Sequence, residues 1–167
     1  MNREQGNTLA AEQPITSIMT TDVIATGPGV SVQLVARILV EHAISGVPVL
    51  DSDGRLVGII TEMDIVSHEI QVDTPTYVPF LDAIFRMPGD TSEDDMRRVL
   101  ATTAGQLMTT PVFSIRVDAS VQDVETLMFE RKVNPVPVLD HQDRLVGIVS
   151  RSDIVALIAD AGAAPAD

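Results

Sequence analysis

Apolar residues in the first third of the chain recur at two spacings, one helical and one typical of strands. Val32, Val35 and Leu39 lie on one face of a helix, and Ser31 just before them is a preferred N-cap residue. The pattern therefore predicts an amphipathic helix that ends near His42. Short β-branched runs bounded by turn residues predict strands before and after this helix.

The predicted order of elements is strand, helix, strand, strand, helix, with strands at residues 23–25, 47–50 and 56–60. The Asp-Ser-Asp-Gly sequence at 51–54 predicts a tight hairpin turn between the last two strands. Thr61, followed three residues later by Asp64, is close to a capping box and predicts the start of the second helix.

This whole pattern is repeated 89 residues later: without a gap, 22 of the 49 residues in 18–66 are identical in 107–155. Self-similarity at this level indicates two copies of one structural unit. A unit of this size buries too little surface to be stable alone, so the copies are expected to share one core. The second copy is predicted to contain strands at 112–114, 136–139 and 145–149, and helices from Ser120 to about Arg131 and from Ser150 to about Ala159.

The domain boundaries are predicted from the repeats, which place the first unit at 14–70 and the second at 107–160. Residues 1–13 and 161–167 lack periodicity and are expected to be flexible tails. The insert at 71–106 contains an apolar stretch at 80–85, which is expected to pack on a repeat or on a partner subunit. It also contains a predicted helix from about Ser92 to Thr102.

Composition narrows the class of protein. Apolar residues make up 45% of the chain and aromatic residues only 3%, which suits a layered α/β fold better than an aromatic-rich β-sandwich. The formal net charge of -13 disfavours nucleic acid and anionic membrane surfaces as partners. The chain has no cysteine, and its three histidines lack metal-ligand spacing, so no metal site is predicted. Because no signal-like or membrane-spanning apolar run is present, we expect a cytoplasmic protein.

The repeated motifs resemble a known family. Two ordered copies of a Val-Pro-Val-Leu-Asp strand, an Arg-Leu-Val-Gly-Ile strand and a Thr/Ser-x-x-Asp helix are similar to a tandem pair of cystathionine-β-synthase (CBS) domains, or Bateman module. The resemblance covers 18–66 and 107–155 directly. It implies an α/β fold of two β-α-β-β-α repeats related by pseudo-two-fold symmetry, with an inter-repeat insert and two clefts between the repeats.

Modules of this family commonly bind adenosyl ligands (AMP, ADP, ATP or S-adenosylmethionine) and pass occupancy to a catalytic or transport domain. The resemblance therefore implies a regulatory, non-enzymatic ligand sensor that forms a homodimer and signals to a separate effector protein, whose identity the sequence leaves open. No cofactor is required. An adenine nucleotide is the expected regulatory ligand, and AMP is favoured because the chain has few cations.

The resemblance also implies which residues bind the ligand. In the family, the Asp of Thr/Ser-x-x-Asp accepts hydrogen bonds from the ribose hydroxyls, and the Thr or Ser lies near the phosphates. A helix N-terminus offers N–H groups to an anion, and a carboxylate suits a cis-diol. These roles fall on Thr61 and Asp64 in the first repeat and on Ser150 and Asp153 in the second. The base is expected against Val23, Ile24, Ser45, Gly46 and Val47 in one repeat, and Val112, Phe113, Asn134, Pro135 and Val136 in the other.

The chain departs from the family at the phosphate side. Members that hold nucleotide phosphates often carry His or Arg just before the Val-Pro-Val strand, and this chain has neither at 45–46 or 134–135. Arg151 lies in the second Thr/Ser-x-x-Asp motif, whereas Glu62 takes the same place in the first. A phosphate is therefore expected to prefer the cleft of the second motif, provided that Arg151 faces it.

Three alternatives remain open. In the first, the Thr/Ser-x-x-Asp motifs serve only as ordinary helix caps, and the protein is a structural or protein-interaction module without a ligand. A small enzyme would have to use the insert, where Asp73, Tyr77 and Asp82 supply no evident pair of base and nucleophile. The Asp-Ser-Asp-Gly sequence at 51–54 resembles the start of a calcium loop, but it lacks the length of one, which favours a hairpin turn.

Overall fold

A computed structural model of the chain describes residues 12–69, 77–80, 83–86 and 101–162. A short 3-10 helix spans Ile15–Ser17, and the α-helices are α1 (Val32–His42), α2 (Glu62–Glu69), α3 (Ala104–Leu107), α4 (Val121–Arg131) and α5 (Arg151–Gly162). The strands are β1 (Gly46–Leu50), β2 (Leu56–Thr61), β3 (Tyr77–Phe80), β4 (Ala83–Arg86), β5 (Ile115–Arg116), β6 (Val136–Leu139) and β7 (Leu145–Val149).

The predicted hairpins are confirmed in both repeats. β1 pairs antiparallel with β2, and β6 with β7, in equivalent registers. In the first turn Asp51 Oδ1 accepts the N–H groups of Asp53 at 2.9 Å and Arg55 at 2.8 Å, and Gly54 adopts a φ of 77°, which favours glycine. The carboxylate therefore stabilises the turn.

Among the described residues no three His, Cys, Asp or Glu side chains are arranged to hold a metal ion.

The first strand of each repeat differs from its prediction. Residues 23–25 and 112–114 form no strand. Parallel pairing begins later, as a lone bridge from Thr26 to Val49 in the first repeat and as β5 against β6 in the second. In the first repeat the chain turns at 27–30, where Val30 N–H donates to Gly27 O, and Pro28 has no N–H to donate. In the second repeat Val117 N–H continues the ladder to Leu139 O at 2.9 Å.

The expectation of one shared core is wrong, because each repeat has its own core. The two cores exchange segments, a feature that the repeat pattern did not predict. Ile15, at the start of the first repeat, is fully buried in the core of the second. Leu107, at the start of the second repeat, is buried in the core of the first. The first core consists of Val32, Val35, Leu39, Val47, Val49, Ile60, Ala101, Ala104 and Leu107, and the second of Ile15, Val124, Met128, Val136, Val138 and Val149.

Equivalent hydrogen bonds hold the exchanged segments in place. Val121 N–H donates to Gln13 O at 2.8 Å, and Val32 N–H donates to Thr102 O at 3.1 Å. The two bonds join equivalent residues, because Val32 and Gln13 shifted by 89 residues are Val121 and Thr102. The repeats are therefore related by pseudo-two-fold symmetry. Neither repeat completes its core from its own contiguous chain.

The insert is described only in part. β3 and β4 form an antiparallel hairpin that includes most of the apolar stretch at 80–85. The helix predicted from about Ser92 to Thr102 lies outside the described residues except for its last two positions, which are not helical. Among the described residues, no helix combines the length and apolarity that crossing a membrane requires.

Candidate ligand clefts

Two clefts open between the repeats, and each takes residues from both. Cleft A has a volume of about 370 Å³ and combines residues 23, 24, 45 and 46 of the first repeat with Ser150 and Asp153 of the second. Cleft B has a volume of about 440 Å³ and combines residues 112, 113, 134 and 135 of the second repeat with Thr61 and Asp64 of the first. The Thr/Ser-x-x-Asp motif of one repeat therefore faces the apolar segment of the other.

Most of the predicted ligand-binding residues line a cleft, and two do not. Val47 and Val136 are fully buried and belong to the two cores, because alternate side chains of a strand point to opposite faces. The other predicted residues line cleft A (Val23, Ile24, Ser45, Gly46, Ser150, Asp153) or cleft B (Ser45, Thr61, Asp64, Val112, Phe113, Asn134, Pro135, Arg151).

Further residues line the clefts that sequence reasoning did not assign to a site. Thr20 lines cleft A and Thr109 lines cleft B, and both belong to the repeated Met-Thr-Thr sequence. That identity between the copies was the available signal. The remaining additional residues are Asp22, Ala43, Ile44, Glu62, Ile148 and Ser152 in cleft A, and Ile59, Glu62, Met63, Pro111, Lys132 and Val133 in cleft B.

The two motif carboxylates cap their own helices. Asp64 Oδ2 accepts the Thr61 N–H at 2.8 Å and the Thr61 hydroxyl at 2.7 Å. Asp153 Oδ2 accepts the same two groups of Ser150, each at 2.7 Å. Helix capping and ligand binding are compatible, because capping uses only one oxygen of each carboxylate.

The second oxygens of these carboxylates differ between the clefts. Asp64 Oδ1 accepts a hydrogen bond from the Thr109 hydroxyl at 3.1 Å. At the equivalent place in cleft A, Thr20 makes no such bond, and no described residue donates to Asp153 Oδ1. Asp153 therefore presents an open acceptor to a ligand, whereas a ligand of Asp64 would share or displace the Thr109 hydroxyl.

The phosphate site expected from the sequence required Arg151 to line cleft A, the cleft of Ser150 and Asp153. Arg151 lines cleft B, together with Lys132, and does not line the cleft of Ser150 and Asp153. The reason is that Arg151 N–H donates to Asn134 Oδ1 at 2.8 Å, which directs the start of α5 toward cleft B. The condition for the expected phosphate preference, that Arg151 face the cleft of the second motif, is therefore not met.

A polar pair lies between the clefts. Asn134 Nδ2 donates to Ser45 Oγ at 3.2 Å, and these residues occupy equivalent positions in the two repeats. Ser45 O in turn accepts the Glu62 N–H at 3.1 Å. The pair thus connects the first residues of α2 and α5, and Ser45, Glu62 and Pro135 line both clefts.

The fold and the clefts define a class of protein: a pair of α/β repeats that exchange their leading segments and enclose two clefts across a pseudo-two-fold axis. The family model for the CBS domain matches residues 15–70 and 104–160. The chain belongs to the CBS domain family, as a tandem pair.

Relatives of known sequence agree with this assignment. An uncharacterized protein of Methanocaldococcus jannaschii is 31% identical over 129 residues, which cover 72% of this chain and 77% of that protein. The chloroplastic CBS domain-containing protein CBSX2 of Arabidopsis thaliana is 28% identical over 137 residues, which cover 77% of this chain and 55% of CBSX2. The chain thus spans little more than half of the length of CBSX2.

Solved structures show the same fold. The crystal structure of CBSX2 in complex with AMP matches with a TM-score of 0.72 at 23% identity, covering 89% of this chain and 97% of that one. The CBS domain pair of protein MJ0100, in complex with 5'-methylthioadenosine and S-adenosyl-L-methionine, matches with a TM-score of 0.67 at 27% identity, covering 87% of this chain and 99% of that one.

Proposed function

We propose that this protein is a regulatory module that binds an adenosyl ligand between its CBS repeats, with an AMP-like nucleotide in cleft B, and passes occupancy to a partner protein. The observation that carries the proposal is the composition of cleft B. It brings a carboxylate, Asp64, and two cations, Lys132 and Arg151, into one cavity beside the apolar Val112 and Phe113.

Each part of an adenine nucleotide has a chemically matching group in cleft B. The apolar side chains of Val112 and Phe113 suit the flat base, and the second oxygen of Asp64 suits a ribose hydroxyl. Phosphate binding rests on the side chains of Lys132 and Arg151. The start of α2 offers fewer backbone N–H groups to a phosphate than its sequence suggested, because the N–H groups of Thr61 and Glu62 already donate within the protein.

The similar structures support an adenosyl ligand as the class. CBSX2 was crystallised with AMP, and the MJ0100 pair with 5'-methylthioadenosine and S-adenosyl-L-methionine. These ligands share the adenosyl group and differ in their tails. The residues around the tail of the ligand therefore decide which of them this chain binds, and two cations in cleft B favour a monophosphate.

The decisive experiment is calorimetric titration of AMP, ADP, ATP and S-adenosylmethionine into the wild type and into Asp64→Asn and Arg151→Gln. We expect each substitution to weaken AMP by roughly 10- to 100-fold, the scale of a lost charge-assisted hydrogen bond. Asp123→Asn is the matched control. Asp123 caps α4 through Ser120 at 2.8 Å and 2.7 Å, the same bonds as in the motif, but it lines neither cleft.

A structural or protein-interaction module without a ligand is the second candidate. It is favoured by the bonds that already occupy the helix starts and by the Thr109 hydroxyl on Asp64. The titration separates the two candidates. Absence of heat with all four ligands, from a protein that unfolds cooperatively, would reject the sensor and favour the interaction module.

Apolar side chains on α2 and α5 support a homodimer as the working state. Met63 and Val66 lie one turn apart on α2 with 70% and 54% of their surface exposed, and Val155 and Ile158 do so on α5 with 64% and 54%. A second copy of this chain would cover these stripes. A separate effector protein and a cytoplasmic location remain predictions. The absence of an enzymatic activity is proposed on the same basis as the sensor function.

A further inference from the structure

The two clefts contain equivalent motifs but differ in the net charge of the residues that line them. Among the residues that line cleft B, Lys132 and Arg151 balance two carboxylates. Among the described residues that line cleft A there are three carboxylates, Asp22, Glu62 and Asp153, and no Lys, Arg or His. A phosphate dianion entering cleft A would meet only like charges among these described side chains, which disfavours its binding there.

The difference arises at equivalent positions of the two repeats. Shifted by 89 residues, Lys132 of cleft B corresponds to Ala43 of cleft A, and Arg151 corresponds to Glu62. Pro111 of cleft B corresponds to Asp22. All three changes make cleft A more negative. The common elements, a Thr/Ser-x-x-Asp motif and an apolar wall, are present in both clefts.

The apolar wall of cleft A is formed by Val23, Ile24, Ile44 and Ile148, and it suits a neutral base. Asp153 lines the same cleft, and its Oδ1 accepts no hydrogen bond from any described residue. Leaving a half-buried carboxylate oxygen without a hydrogen bond costs free energy. A hydrogen-bond donor or a positive charge on a bound ligand removes this cost. The cleft therefore combines a place for an adenosyl group with a place for a positive tail.

We infer that cleft A binds an adenosyl ligand whose tail is positively charged, a sulfonium or an ammonium, and that the two clefts sort adenosyl ligands by charge. The inference rests on the proposed adenosyl function and adds the ligand class of the second cleft. Asp22 and Glu62 are the residues that determine this specificity. The protein then responds separately to a cationic and to an anionic adenosyl compound, because each ligand has its own cleft.

The test uses three probes that share the adenosyl group: S-adenosylmethionine (cationic), 5'-methylthioadenosine (neutral) and AMP (anionic). Each is titrated calorimetrically into the wild type, Asp22→Asn and Asp118→Asn at low and high salt. Asp22 lines cleft A alone, so we expect its substitution to weaken S-adenosylmethionine by about 2- to 5-fold, the scale of an exposed ion pair. The other two ligands should be unchanged. Asp118 is exposed and lines neither cleft, so Asp118→Asn controls for the loss of one charge.

A gain-of-function variant adds a second readout. Ala43→Lys introduces the cation of cleft B into cleft A, and the backbone tolerates it because Ala43 and Lys132 have the same left-handed φ, 51° and 55°. We expect this variant to lose S-adenosylmethionine affinity and to bind a second AMP. The cleft is identified with Asp153→Asn, which should weaken S-adenosylmethionine and leave AMP binding intact.

The outcomes distinguish the inference from the proposed function. Binding of AMP to cleft B without S-adenosylmethionine binding to cleft A would overturn the inference and leave the proposed function standing. An equal effect of Asp22→Asn on all three ligands would also overturn it, because a charge effect must follow the charge of the tail. If none of the three ligands binds either cleft, both proposals fail together.

Discussion

Met19 Sδ lies 2.6 Å from the position that a Cβ atom on Gly147 would occupy. Met19 lies in the leading segment of the first repeat, and Gly147 is in β7 of the second. The equivalent pair is Met108, in the leading segment of the second repeat, and Gly58 in β2 of the first, where a Cβ would also collide with the methionine side chain. Glycine is therefore required in the Val-Gly-Ile strands because the segment leading the other repeat packs directly on them.

The first prediction concerns this contact. Gly147→Ala places a methyl group against Met19 Sδ and 3.3 Å from Thr20 O, and the backbone oxygen has little freedom to move. We expect the substitution to lower the free energy of unfolding by about 1 to 3 kcal/mol, the usual cost of overpacking. Urea denaturation followed by circular dichroism measures it.

Gly29→Ala is the matched control, because a Cβ at Gly29 would meet no atom within 4 Å. Met19→Ala combined with Gly147→Ala should cost less than the sum of the two single changes, since shortening Met19 relieves the collision. Additive costs would show that the packing of Met19 on Gly147 is not the reason for the glycine.

The second prediction tests the homodimer. Val66→Glu and Val155→Glu place a charge in the exposed apolar stripes of α2 and α5 at equivalent positions of the two repeats. We expect wild type to have twice the 17.9 kDa mass of the chain by light scattering, and the double variant to have the monomer mass. A buried unpaired carboxylate is costly, which is why the interface would not tolerate it.

Leu34→Glu is the control for the dimer, because Leu34 is an exposed apolar residue of α1 outside both stripes. It should leave the mass unchanged. A wild type with the mass of one chain, at concentrations well above those used for titration, would contradict the homodimer.

The third prediction concerns pH. Hydrogen bonds from the Ser120 hydroxyl and N–H hold the pKa of Asp123 below its ordinary value of 3.8. A carboxyl group whose pKa is depressed by folding contributes stability above its unfolded pKa, and the contribution is lost as pH falls through the folded value. The unfolding free energy of Asp123→Asn should therefore depend less on pH below about 4 than that of wild type.

Urea unfolding at a series of pH values from 7 to 3 measures this dependence. Ser120→Ala removes the largest cause of the depressed pKa and should flatten the same part of the curve. It should also cost about 1 kcal/mol at neutral pH as a lost N-cap. Parallel curves for wild type and Asp123→Asn would contradict the lowered pKa of Asp123.

Local patterns predicted most elements well. Helix α1, the two hairpins and the capping carboxylates each depend on neighbours within a few residues, and periodicity and turn residues report such neighbours directly. The first strand of each repeat was misplaced because β-propensity indicates an extended chain and not a pairing partner. Val23 and Val112 are such residues, and both line clefts instead of forming strands.

The candidate site was predicted by residue type more successfully than by position. The repeat comparison and the family resemblance identified Asp64 and Asp153, and both line clefts. Which cleft Arg151 lines could not be read from its place beside Ser150, because that depends on its N–H bond to Asn134, 17 residues away. Lys132 was missed since a lone exposed lysine at a helix end carries no sequence signal.

The sequence by itself determined that there are two copies of one α/β unit, the order of their elements and the family to which they belong, because these follow from identities at a constant offset of 89 residues and from local periodicity. Only the tertiary structure decided which leading segment completes which core, and which motif faces which apolar wall. Ile15 and Leu107 fit either core by hydrophobicity alone. The choice between them depends on long-range packing and hydrogen bonds, which no local pattern encodes.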